Sequence, residues 1–146
     1  MTISKTLAGG ALAILFAVAS IIGGESRNEA KSAASARIAI AQALPQMKGD
    51  TLSVKLVEVA YAPGESSAAH SHPCPVIGYV ISGALKFQVR GEPERVYKAG
   101  DTFYEAPNGV HQISANASQT EPAKFLAYFV CDHDTPLTVP PPGAKQ

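Results

Sequence analysis

Gly64-Glu65-Ser66-Ser67-Ala68-Ala69-His70-Ser71-His72, answered much later in the chain by Gly100-Asp101 and a single His111, holds three of the protein's four histidines. All three lie at strand ends marked by glycine and proline. Histidines at i and i+2 of an extended segment project from one face, because strand side chains alternate with period two. Two imidazoles from one strand, joined by a third from a distant strand, can form the nitrogen face of a metal site.

Around this core the chain reads as many short strands. Residues 51–61 carry Leu52, Val54 and Leu56 on one parity and Val57, Val59 and Tyr61 on the other. That switch predicts a bulge or a strand buried on both faces. Pro63-Gly64 turns the chain. Residues 76–82 form a strand closed by Gly83, and 84–90 alternate with Leu85, Phe87 and Val89 inward. Short strands follow over 95–98, 102–106 and 110–114. Residues 124–131 are apolar at nearly every position, as expected of a strand covered on both sides. No tryptophan is present, and glycine and proline cluster between the apolar runs, which favours an all-β sandwich or barrel.

The 146 residues suffice for one domain with a core. Twelve basic residues balance twelve acidic ones, which argues against electrostatic binding of nucleic acid or of an anionic membrane surface. Four regions are expected: a signal peptide or membrane anchor over 1–24, a partly helical linker over 25–48, the β-domain over 49–136 and a proline-rich tail over 137–146. The first has a lysine, an uncharged apolar centre and the small-residue exit Ala17-Val18-Ala19, the plan of a secretory signal. An uncleaved anchor is its rival; either way the domain is expected outside the cytoplasm, periplasmic or secreted. Within the linker, 37–44 has high helix propensity and stops at Pro45. Cys74 and Cys131 are either bridged, as an oxidising compartment permits, or independent small side chains. His133, between Asp132 and Asp134, reads as solvated.

The segment Gly64-x5-His70-x-His72-x3-Val76-x6-Gly83 resembles the first motif of the cupins, and Gly100-Asp101, Pro107-x-Gly109 and His111 resemble the second. The resemblance covers about 51–136. It implies a double-stranded β-helix, or jelly-roll, barrel with one divalent metal ion (Fe, Mn, Ni or Zn) on His70, His72 and His111, and a homodimer. It also implies action on a small organic molecule, dioxygenase-like or isomerase-like; a non-enzymatic exported protein binding a small molecule or metal is the alternative.

Two departures matter. The family's glutamate ligand is replaced by Val76, so the fourth position falls to Glu105, to water or to Cys74, in that order of preference. Glu105 shares parity with Phe103, and an inward carboxylate needs an explanation; it is the candidate catalytic group as well as a candidate ligand, with a hydrogen bond to a histidine nitrogen as its other possible role. In the second motif Pro107 comes one place late and only Val110 separates Gly109 from His111, but the two shifts cancel. Tyr79, Tyr104 and Phe87 are assigned to the barrel wall rather than to catalysis.

Overall fold

The structure, a computed structural model, describes residues 35–143. The signal or anchor expected over 1–24 lies outside the described residues. The described residues from 36 on form one compact unit. Its strands are β1 (Ser53–Tyr61), β2 (Ser66–Ser67), β3 (His70–Ser71), β4 (Val76–Ser82), β5 (Ala84–Val89), β6 (Arg95–Lys98), β7 (Thr102–Glu105), β8 (Val110–Asn116) and β9 (Ala123–Cys131). One sheet runs β1-β9-β4-β7 and the other β2-β8-β5-β6, with β3 also paired to β8; all pairings are antiparallel. This is the expected jelly roll.

No helix occurs among the described residues, so the helix expected over 37–44 is not formed. An eight-residue helix is marginal without a packed face. Here the segment is extended: Arg37 Nη2 donates to the carbonyl of Gly100 (2.9 Å) and Thr102 Oγ1 to that of Ala39 (3.0 Å). Contacts with the β7 end of the sheet outweigh a weak local propensity.

β1 also departs from expectation. Its register against β9 is unbroken from Ser53–Cys131 to Tyr61–Ala123, so it has no bulge. Nor is it buried on both faces: Val57, Val59 and Tyr61 pack against the core, while Leu52, Val54 and Leu56 are exposed. β9 is likewise not covered on both sides. Its Ala123, Phe125, Ala127, Phe129 and Cys131 are buried, while Tyr128 between them is 41% exposed.

The interior is filled unevenly. Phe87, Phe103, Phe125, Tyr61 and Tyr97 form linked aromatic contacts with centroids 4.6–5.9 Å apart, a spacing typical of tilted pairs. Gly78 permits this, because a Cβ there would lie 2.0 Å from the Phe103 ring. The histidines stand beside this aromatic pack: the Phe87 ring lies 4.1 Å from that of His111. Tyr79 and Tyr104, by contrast, lie on the outer face, at positions alternating with the buried Val76, Gly78 and Val80 and with Phe103 and Glu105.

Candidate metal centre

β3 and β8 bring the histidines together. His70 pairs directly with His111 across the two strands, and His72 lies just past the end of β3. His70, His72 and His111 each present one ring nitrogen, all within 4.8 Å of one another. The turn before β8 delivers His111 at the right height. Ala106-Pro107-Asn108-Gly109 closes with Gly109 N–H donating to the Ala106 carbonyl, and Asn108 has φ 63°. Proline at the second position and positive φ at the third are what a type II turn requires.

The ring orientations are set by backbone oxygens. His70 Nδ1 donates to the carbonyl of Ala68 (2.7 Å) and His72 Nδ1 to that of Leu137 (2.6 Å). A carbonyl has no proton to give, so each ring keeps its proton on Nδ1 and turns the lone pair of Nε2 inward. Those two Nε2 atoms face each other at 3.1 Å. Two lone pairs at that distance repel unless a cation lies against both. A shared proton is opposed by the surroundings, since burial and the neighbouring His72 and His111 push the His70 pKa down.

Glu105 of β7 lies beside this group. It stands directly across from Val76 of β4, and opposed residues of an antiparallel pair point to the same face. A carboxylate therefore stands one strand over from position 76, on the same rung. Glu105 is 4% exposed and His111 3%. Glu105 Oε2 lies 3.2 Å from His111 Nδ1 and 3.7 Å from His72 Nε2, yet is not aligned for a hydrogen bond with either. The buried Oε2 and His111 Nε2 thus have no hydrogen-bond partner, a costly state for buried polar atoms. Three imidazoles and a carboxylate with orphaned acceptor atoms fit a divalent cation of the Fe, Mn, Ni or Zn kind.

Cys74 is not available as a ligand, being bonded to Cys131. The bridge ties the loop after His72 to the end of β9. His133 is exposed, as expected, and donates to Asp132 (2.6 Å).

Other residues around the site are harder to find in the sequence. Leu137 lies in the segment expected as a tail, and Val139 pairs with Ser71 through two backbone hydrogen bonds of 2.9 Å. Only proline enrichment marks this stretch in the sequence, and proline enrichment does not report pairing. Tyr61, Ser67 and Ser114 join hydroxyls beside the site: Tyr61 Oη is bonded to Ser67 Oγ and lies 2.9 Å from Ser114 Oγ. Ser114 faces inward together with His111, three positions away, because the β5–β8 register slips by one residue at Gln112. His72, Glu105, His111 and the three hydroxyls line one cavity of about 150 Å³ whose remaining walls are mostly apolar.

Comparison with known proteins agrees with this architecture. The family model described as "Cupin domain" matches residues 57–129. Oxalate oxidase GF-3.8 of Triticum aestivum is 31% identical over 99 residues, covering 62% of this chain and 43% of the relative. Oxalate oxidase 2 of Hordeum vulgare is 31% identical over 87 residues, covering 54% and 38%. The chain spans about two fifths of the length of these curated relatives. Among solved structures, an oxalate oxidase in complex with the substrate analogue glycolate superposes with a TM-score of 0.50 at 30% identity, covering 59% of this chain and 45% of that one. The DMSP lyase DddQ of Ruegeria pomeroyi, with a TM-score of 0.51 at 23% identity over 66% of this chain and 47% of that one, shares the fold. Both motifs, the jelly roll and the family match over half its length place this chain in the cupin family.

Proposed function

We propose that this cupin holds one divalent metal ion on His70, His72 and His111, with Glu105 as the fourth ligand, and acts on a small organic molecule as a metal-dependent enzyme. One observation carries the reading: two imidazole nitrogens, both left unprotonated by their carbonyl partners, confront each other at 3.1 Å beside a buried carboxylate. Its likeness to oxalate oxidases supports redox chemistry on a small acid.

A divalent ion held there supplies a Lewis acid and, if redox-capable, an electron donor or acceptor. The chain's own residues do the rest. The carbonyls of Ala68 and Leu137 fix two imidazoles in the tautomer that binds a cation. Glu105, on the cavity wall, would hold the ion through Oε2 and take a proton from a bound substrate on its other oxygen. Phe125, Phe129 and Val59 give the same cavity an apolar wall. Export of the domain belongs to the same proposal and draws support from the Cys74–Cys131 bridge, since such bridges persist in oxidising compartments.

The test is metal uptake followed by turnover. The oxidised domain, reconstituted separately with Fe, Mn, Ni and Zn, is expected to retain one equivalent of metal. His72→Ala should lose it and Glu105→Gln should bind about 10- to 100-fold more weakly. Dioxygen consumption with small organic acids then separates an enzyme from a binding protein. Elemental analysis finding no metal in the wild type, or unchanged metal in His72→Ala, sinks the reading.

A further inference from the structure

We infer that the cavity selects a monoanionic molecule of about six non-hydrogen atoms, with a neutral oxygen (hydroxyl or carbonyl) opposite its anionic end. The inference rests on the metal-centre reading above and adds the substrate class. It follows from size, charge and hydrogen-bond supply.

A cavity of about 150 Å³, part of which the ion would fill, holds at most a molecule the size of benzene, well below the several hundred Å³ of sites for larger ligands. Charge is the second limit. Three neutral imidazoles, one carboxylate and a divalent ion sum to a single positive charge. One anionic group on the substrate neutralises it. A second would stay uncompensated, because neither lysine nor arginine lines the cavity and Phe125, Phe129 and Val59 offer it nothing.

The third limit sits beside the metal centre. Tyr61, Ser67 and Ser114 hold three hydroxyl protons, and the two hydrogen bonds among them use two. One of these donors remains for a ligand, beside the hydroxyl of Thr138 on the same cavity wall. A hydroxyl donor serves a neutral or a charged oxygen, and the charge limit leaves the neutral one; the register slip at Gln112 places Ser114 about 7 Å along β8 from His111. A ligand anchored at the metal by its carboxylate therefore reaches the hydroxyls with its other end.

The experiment uses the zinc-loaded full domain, with metal content measured first. Three probes are titrated calorimetrically: 3-hydroxybutyrate, malonate (matched to it in non-hydrogen atoms but doubly charged) and butyrate (lacking the hydroxyl). 3-Hydroxybutyrate should bind at least about tenfold more tightly than either. Ser114→Ala should bring it down to the affinity of butyrate while leaving butyrate unchanged; Tyr61→Phe should act in the same direction and serves if Ser114→Ala does not fold. Malonate binding as tightly as 3-hydroxybutyrate, or an unchanged preference in both variants, overturns the inference while the metal reading stands. A wild type that takes up no zinc or other metal overturns both.

Discussion

The two halves of the proposed metal centre are built by different means. His111 stands within β8, bonded on one side to β3 and on the other to β5, so the sheet itself holds it. His70 and His72 come from a two-residue strand and the loop after it. Their props are distant in sequence: the Cys74–Cys131 bridge, the Leu137 carbonyl on His72, the Ser71–Val139 pair, and Asn108 N–H donating to the His72 carbonyl. One half is therefore a by-product of folding the barrel, and the other depends on tethers that the barrel does not require. Damage to the tethers should reach metal affinity without dismantling the sheets.

The bridge gives the largest expected effect. It closes a loop between residues 57 apart, which by loop entropy stabilises the fold by about 4 kcal/mol. Cys74→Ser combined with Cys131→Ser should lower unfolding free energy by up to that amount in denaturant titrations and weaken metal binding as well. A stability loss with metal affinity intact would show that the loop needs no bridge to place its histidines. Ending the chain after Pro136 comes next. It removes the Leu137 carbonyl and the Val139 strand pairing, freeing His72 to rotate and to change tautomer. Chelator competition should report a loss of about 10- to 100-fold in metal affinity, with the β-sheet circular dichroism retained. An unchanged affinity would mean that the sheet alone orients His72.

The histidines of both halves are legible in the sequence; the tethers that hold the second half are not. β5 was readable because Leu85, Phe87 and Val89 alternate with polar residues, and a half-buried strand imposes that period. The glycines, the His-x-His pair and His111 carried the metal group, and the inward parity of Glu105 showed in the buried Phe103 two places before it. What stayed hidden depends on partners remote in sequence. β2 and β3 are too short to have a period. The slip at Gln112, which lets Ser114 share a face with His111, is defined only against β5. The stretch over 37–44 has helix propensity but lies extended beside the β7 end of the sheet, because propensity is local and Gly100 and Thr102 are not. The doubled apolar pattern of β1 does not show which face is covered, since alternation reports only which residues are apolar, and here both faces are apolar while one is exposed.

The smallest effect lies where the chain enters the barrel, away from the histidine tethers. Asp132 accepts from the backbone N–H groups of Lys48 and Gly49 (2.7 and 2.8 Å) and from His133. The hydrogen bond from His133, then those of Gly49 and Lys48, hold its pKa down at about 2, below the ordinary 3.8. A carboxyl with a lowered folded pKa adds stability that is fully present above its unfolded value and is lost as pH falls through the folded one. In the metal-free domain this contribution should therefore persist above about pH 4 and fade toward pH 2. Asp132→Asn should flatten the acid limb of the stability profile in that window and leave metal affinity at neutral pH untouched. If Asp132→Asn also weakened metal binding, the entry of the chain would count among the tethers, and the division between a sheet-built half and a tethered half would have to be redrawn to include β9's exit.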